Sequence, residues 1–333
     1  MRILVVRTDF LGDSILSSTF IRMLKQLLDV QVDILCYEYN FAAFQYNKHI
    51  DSKYRLYEIP VSSEEKLNNH QVLQSLRQNK YTAVFMLNRD FKTYKLLKYI
   101  NSPRVFGHRL GVKSLRSKMF CRFSALSLKY NYLEYDNSIH EVINQFNLLK
   151  FGLRILNIPN NIILDKQSYF YTESFDPEEQ DQKDTGTIVV NISGRRDTVR
   201  YIPSSLAQVI IEDLVKLGKK VLMIATKDEY IRANEILTRF STLDVSLCAD
   251  DNLFNIANTM ARYKYYIGAD GGLLHMASGL QMHCIGLFHA QNIEAWHPWS
   301  IHQICVQTPT KKIYDLTADN IIKAFKDLKL NHD

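Results

Sequence analysis

The sequence predicts an α/β protein of two doubly wound domains whose parallel sheets face a central cleft. Three observations lead there. Short apolar runs of strand length alternate with segments of helical periodicity, as Ile3-Leu4-Val5-Val6 does with the stretch that follows it. No hairpin signal stands between successive runs, so the strands are joined by crossovers and lie parallel, with helices on both faces. The pattern also starts afresh after an acidic, proline-bearing stretch, which divides the 333 residues into halves of ordinary domain size. Each half is Rossmann-like in this respect.

The first strand, 3–6, passes through a short polar turn into a helix from about Ser14 to Leu28. Its apolar positions Ile15, Leu16, Phe20, Met23, Leu24, Leu27 and Leu28 recur at helical spacing. The next strands are Val32-Asp33-Ile34-Leu35-Cys36 and Ala83-Val84-Phe85-Met86-Leu87. From 173 to 184 the chain reads ESFDPEEQDQKD, six acids and one lysine around Pro177, with no apolar periodicity. That predicts a linker over 173–185, between an N-terminal domain at 1–172 and a C-terminal domain at 186–333. The second half opens with the strand TIVVNI at 187–192. Its loop, SGRRDTVRY, leads to Ile202-Pro203 and a helix closed by Gly218, the proline-first, glycine-last asymmetry of helix ends. Strands at 219–226, near Val245, at 263–270 and at 283–288 follow. Doubly wound sheets bind ligands beyond the carboxyl ends of their strands, which is where functional residues are to be sought.

Composition excludes several classes. A chain 46% hydrophobic and 23% charged is globular, not disordered. No apolar stretch reaches the ~18 residues of a membrane span, and the opening run is too short for a signal peptide. Cys36, Cys121, Cys248, Cys284 and Cys305 are odd in number and scattered, without a CxxC pair. They predict free thiols in a reducing cytoplasm, not disulfides or zinc. The net charge of +6 is modest, yet 77–129 holds thirteen Lys or Arg against one acid, Asp90. Such a run is either a solvated face or a surface for an anionic partner: phosphate, nucleic acid or acidic lipid.

Two places at strand ends carry chemistry. In the first half Asp13 stands between the first strand and its helix, where position alone makes it an N-cap. In the second half Gly268-Ala-Asp270-Gly271-Gly272-Leu273-Leu-His275-Met-Ala-Ser-Gly279 passes from strand to helix. Glycines there let backbone amides approach an anion, and the helix N-terminus adds its dipole. This is a phosphate-cradle pattern, but neither a Walker loop nor GxGxxG. Asp270 reads equally well as a turn residue bonded to the next amides. Ser193, Arg195, Arg196 and Arg200 lie in the loop after 187–192, and Arg200 is the best placed arginine because the adjoining helix fixes it. His140 and His275 read as packing histidines, and Trp296 and Trp299 as core.

Three blocks, RILVVRTDFLGDSILSSTFIRMLK, ISGRRDTVRYIPSSLAQVI and IGADGGLLHMASGL, resemble glycosyltransferase family 9, the lipopolysaccharide heptosyltransferases, in order and spacing. A weaker match begins at His140-Glu141. The resemblance implies a B-type glycosyltransferase fold, with the acceptor on the N-terminal domain and the nucleotide-sugar on the C-terminal one. It implies Asp13 as general base and a basic residue at Arg200 on the donor phosphates. Ser193, Arg195, Asp270, Gly271, Gly272, Leu273 and His275 complete the donor side. Asp228 or Glu229 would meet the nucleoside, with Asp228 preferred. Acceptor contacts fall to Arg7, Gly12, Arg109 and Lys113. The chain departs from the family at Gly271, usually Thr or Ser, at Arg200, usually lysine, and at Thr19, usually proline.

The chemistry fits one carboxylate. A sugar nucleotide brings its own leaving group, so an inverting displacement needs one base and stabilisation of charge on the diphosphate. Backbone amides, a helix dipole and Arg200 replace the acid that glycosidases add. No cofactor or metal is expected. The expected partners are a nucleotide-sugar, implied to be ADP-heptose, and an anionic lipid-linked saccharide of the lipopolysaccharide core at the inner face of the membrane, with no nucleic acid. Rival readings are the same fold with another nucleotide-sugar or a capsular acceptor, and a non-catalytic nucleotide- or nucleic-acid-binding module. A nicotinamide dehydrogenase is disfavoured because neither half shows GxGxxG.

Overall fold

The computed structural model describes residues 1–109, 130–159, 161–179, 182–194, 200–240 and 244–332. The chain forms two compact units, Met1–Asp165 and Lys166–Asp333. Each is built on a six-stranded sheet in which every pairing is parallel.

In the first unit the strands are β1 (Arg2–Val6), β2 (Gln31–Tyr37), β3 (Ser52–Leu56), β4 (Ala83–Met86), β5 (Val105–His108) and β6 (Tyr130–Leu133), in the order β3-β2-β1-β4-β5-β6. The helices of two turns or more described here are α1 (Leu11–Leu27), α2 (Ser63–Gln78) and α3 (Glu141–Ile155). β1 is central, so Ile3, Leu4, Val5 and Val6 are all fully buried, which is why its sequence is a continuous apolar run and not an alternating one. Phe20 of α1 packs edge-on against Phe85 of β4 at 5.3 Å, and Phe85 meets Phe106 of β5 at 5.2 Å. This aromatic layer fixes α1 against the sheet.

The second unit contains β7 (Asp184–Asn191), α4 (Ser204–Lys216), β8 (Lys220–Ala225), α5 (Tyr230–Leu237), β9 (Val245–Ala249), α6 (Leu253–Met260), β10 (Tyr263–Ala269), α7 (Gly272–Gly279), β11 (His283–Leu287), β12 (Gln303–Val306) and α8 (Ala318–His332). Its order is β12-β11-β10-β7-β8-β9. Counted from β7, this is the winding of the first unit again: the opening strand lies between the second and the fourth. Ile188 and Val190 of β7 share a core with Ile210, Ile211 and Leu214 of α4 and with Ile321 and Phe325 of α8.

Several sequence expectations shift. The units divide between Asp165 and Lys166, ahead of the expected linker. Residues 166–172 already belong to the second unit, where Ser168 N–H donates to the Trp299 carbonyl and Phe170 N–H to that of Gly279. The acidic stretch packs there too: Phe175 is buried, Tyr171 Oη donates to Glu178, and Asp184 opens β7. Helix α1 begins at Leu11, so Asp13 lies inside its first turn. Pro203 is the N-cap of α4 and not its first residue. Gly218 takes a φ of 73° just past the helix, as its place there requires. Strands β3, β5, β6 and β12 carried no expectation. The cysteines among the described residues, Cys36, Cys248, Cys284 and Cys305, are free. Among those residues no helix is long and apolar enough to cross a membrane.

Candidate active-site residues at the two sheet edges

In a 3-2-1-4-5-6 sheet the crossovers leave the first strand in opposite directions, and a crevice opens at the carboxyl ends of the first and fourth strands. Arg7 and Asp13 follow the first strand of the first unit, and Arg200 and Asp270 follow the first and fourth strands of the second, so these four lie at that point.

In the first unit the loop after β1 is held from both sides. Asn40 Nδ2 donates to the Arg7 carbonyl at 3.0 Å and to Ser14 Oγ at 2.6 Å, while Thr8 N–H donates to Asn88 Oδ1 at 2.8 Å. Tyr39 Oη also donates to the Thr8 carbonyl. Asp13 is not the N-cap of α1: Phe10 occupies that place without a side-chain cap bond. Instead Asp13 Oδ1 accepts from Arg7 Nη2 at 3.1 Å. Arg7 Nη1 donates to the Leu87 carbonyl beyond β4 at 2.9 Å and to Glu141 Oε1 of α3 at 3.1 Å. Asp9 lies 3.8 Å from the same guanidinium.

One buried cation thus faces three carboxylates. Burial pushes the Asp13 carboxyl up to about 7; Arg7 opposes this, and Asp9 and Glu141 add to it. Burial raises Asp9 as well. Asp13 keeps 18% of its side chain exposed, whereas Arg7 and Glu141 keep 2% and 4%. Asp9 keeps 28%, so Asp13 and Asp9 are the accessible carboxylates of the group, and Asp13, raised to about 7, has a proton affinity suited to accepting a proton near neutral pH.

Arg7 and Gly12, expected on an acceptor, are both buried. Arg7 turns its charge onto the chain's own carboxylates. Arg109 is exposed, pairs with Glu134 at 2.8 Å and lies over the Tyr132 ring. Lys113 lies outside the described residues. Sequence reasoning missed Glu141 as a partner of Asp13. The only signal was its place beside His140, which caps α3 by accepting from Val142 N–H.

In the second unit Arg200 and Asp270 meet at the switch point between β7 and β10. Arg200 Nη1 lies 3.5 Å from Asp270 Oδ2. With its amide oxygen turned to the guanidinium, Gln291 accepts from Arg200 Nη2 and Nε at 2.7 Å each. Gly194 makes this approach possible: a Cβ there would sit 1.6 Å from the Arg200 carbonyl oxygen. Asp270 is 5% exposed, and burial raises its carboxyl against the pull of Arg200. Gly271 then caps α7 without a side-chain bond, leaving the first-turn amides of Gly272 and Leu273 without helical acceptors, as at any helix start.

His275, in the same helix, is buried; that burial, then His297 and Arg200, push its imidazole down to about 4. It is neutral at pH 7. Ser193 is buried, and its Oγ accepts from Thr226 N–H at 2.9 Å. Of the two carboxylates considered for the nucleoside, Glu229 is buried and bound to Arg232, while Asp228 is exposed. A cavity of about 580 Å³ opens nearby, lined by Lys227, Tyr230 and Asn234 and, on β9, Leu247 and Ala249. Trp299 is in the core and Trp296 half-buried. Arg195 and Arg196 lie outside the described residues.

Comparison with known proteins gives this arrangement a family. The profile of glycosyltransferase family 9 (heptosyltransferase) matches residues 69–325. A curated relative, lipopolysaccharide heptosyltransferase 3 of Escherichia coli, is 24% identical over 312 residues, which cover 89% of this chain and 85% of that protein. The solved structure of E. coli heptosyltransferase WaaC with ADP is similar at a TM-score of 0.81 and 16% identity, covering 98% of this chain and 100% of that one. That of E. coli ADP-heptose lps heptosyltransferase II is similar at 0.74 and 16%, covering 99% of each chain. At such identities the structures speak for the fold, and the profile, which spans most of the chain, for the family. Two Rossmann-like domains with the same winding and a matched profile make this chain a member of glycosyltransferase family 9, with the B-type glycosyltransferase fold.

Proposed function

We propose that the protein transfers heptose from ADP-heptose to a hydroxyl of a lipopolysaccharide core acceptor, with inversion and without a metal ion. The observation that carries this reading is the Asp13 carboxylate: partly exposed, held by Arg7, and raised to about 7 at the switch point of the first sheet. The names of the relatives, an E. coli lipopolysaccharide heptosyltransferase and a heptosyltransferase with bound ADP, favour this donor and acceptor over others of the fold.

In the proposed step the acceptor oxygen attacks the anomeric carbon and gives its proton to Asp13. The bond from that carbon to the diphosphate breaks, and its electron pair leaves with the nucleotide. Arg200 and the amides opening α7 meet the developing negative charge. Asp228 and the cavity beside α5 accommodate the nucleoside. One displacement on one face of the sugar inverts the anomeric centre, so a single base is enough. The exposed part of the basic run would hold the enzyme at an anionic membrane face.

Asp13→Asn tests the reading. It should leave the fold and ADP affinity intact and lower kcat by about 10²–10⁴-fold, the usual contribution of a base. Turnover near wild type would overturn Asp13 as the base. Thermal shifts with ADP-, UDP-, GDP- and CMP-sugars decide the donor, since a specific ligand stabilises the folded state by mass action. The largest shift with a sugar other than ADP-heptose would overturn the donor assignment.

A further inference from the structure

We propose that Glu141 is the positioning residue for Asp13: the two carboxylates share the guanidinium of Arg7, and Glu141 fixes where that guanidinium points. The inference rests on Asp13 being the base.

The geometry is a chain of short contacts from α3 to α1. Tyr135 Oη donates to Glu141 Oε2 at 2.8 Å. Glu141 Oε1 accepts from Arg7 Nη1 at 3.1 Å and from Gln145 Nε2 at 2.9 Å. Arg7 Nη2 then reaches Asp13 Oδ1 at 3.1 Å. Gln145 Nε2 also meets Ser17 Oγ at 3.3 Å, and Ser17 Oγ donates to the Asp13 carbonyl. Glu141 thus braces both the guanidinium and the helix that carries Asp13. Arg7 has its remaining Nη1 contact on the Leu87 carbonyl, so without Glu141 its head would be tied to the sheet by one neutral bond.

Glu141 also acts through charge. It is 4% exposed, and its negative charge works against ionisation of Asp13 together with that of Asp9. The other charged groups near the cluster are Arg89 and Asp90 after β4, both of which act on Asp9. Tyr135 lies under Arg89, whose guanidinium carbon is 3.4 Å from the ring centroid, and beside His108, which burial keeps neutral by lowering it to about 4. Among the described residues, then, Glu141 is the buried carboxylate that touches the guanidinium bound to Asp13 from a different element of the fold.

The test is the pH profile of ADP release from ADP-heptose, with lipopolysaccharide truncated before the transferred heptose as acceptor. Glu141→Gln retains an oxygen for Arg7 but removes the charge. Asp13 should then ionise more readily, and the acid limb of kcat/KM should move down by about one pH unit or less. The plateau kcat should fall several-fold, as a weaker and less fixed base requires. ADP affinity, a property of the other unit, should not change. Tyr135→Phe frees Glu141 Oε2 to turn away, and should move the limb in the same direction by less. It serves if Glu141→Gln does not fold. In an Asp13→Asn background Glu141→Gln should cause no further loss of kcat. If Asp13→Asn loses turnover but both Glu141→Gln and Tyr135→Phe keep the wild-type limb, the positioning role is overturned. If Asp13→Asn itself turns over normally, the base assignment falls and this role with it.

Discussion

Asp13 is ionised at the expense of the fold. Its carboxyl is raised to about 7 in the folded protein, mainly by burial, against ~3.9 in an unfolded chain. A raised carboxyl favours the protonated folded state, so its contribution to stability is full below pH ~4 and is lost as pH rises through about 7. Asp13→Asn mimics the protonated form at every pH. The variant should match the wild-type melting temperature near pH 4 and exceed it at pH 8, while turnover is lost. Equal melting temperatures at pH 8 would mean that Arg7 fully compensates the charge.

Arg200 answers a second question at this scale, whether the donor site acts in binding alone or also in the transition state. Losing a hydrogen bond to a charged group costs about 1.5–3 kcal/mol. Arg200→Ala should therefore weaken ADP binding by about ten- to two-hundredfold, and lower kcat too if the contact strengthens as the diphosphate departs. Arg200→Lys should recover much of the binding but not the paired contact. Unchanged ADP binding in Arg200→Ala would shift the phosphate contact to Arg195 or Arg196. Asp13 and Arg200 were legible because each follows an opening strand. The pairing of Arg7 with Glu141 was not, since 134 positions separate them and only the packing of α3 beside α1 brings them together.

At the scale of elements, what was legible was what was buried on both faces. The central strands β1, β4, β7, β10 and β11 showed as apolar runs because helices cover them on each side. β3, β6 and β12 lie at sheet edges, half-exposed along most of their length, so their sequences SKYRL, YNYL and QICV mix polar with apolar residues and give no run. β5, although buried, is four residues long and contains a glycine. The start of α1 was misplaced for a related reason. Leu11-Gly12 has no capping residue before it, and Asp13 looked like the cap that Phe10 does not provide. The loop after β7 offers a test at this scale. Gly194→Ala would drive a methyl group into the Arg200 carbonyl, so the loop must shift. ADP affinity should fall toward that of Arg200→Ala, whereas the first unit, with Asp13, should be unaffected. Wild-type ADP affinity in Gly194→Ala would show that the position of Arg200 does not matter for binding.

For the whole molecule, the charge asymmetry is the property that the two sheets do not explain. Thirteen basic residues stand from Arg77 to Lys129, and of those described Arg77, Lys80, Lys92, Lys95, Lys98 and Arg109 are exposed. Lys92 is partly neutralised by Glu58, and Arg109 by Glu134. Lys80, Lys95 and Lys98, exposed among the described residues, carry the sign of charge that an anionic membrane would attract. Each basic side chain at such a surface contributes ~1 kcal/mol, screened within a Debye length of ~10 Å at 0.1 M salt. Replacing Arg109, Lys113, Arg116 and Lys118 together with Ser should weaken co-sedimentation with anionic vesicles by up to about a thousandfold at low salt. Raising the salt should weaken wild-type binding and shrink the difference between the two proteins. Turnover on a delipidated, water-soluble acceptor should be retained wherever the four residues serve the membrane alone, and reduced where Arg109 or Lys113 also holds the saccharide. Co-sedimentation that is the same for both proteins at low salt would make the basic run a solvated face, and the acceptor would then have to be delivered without it.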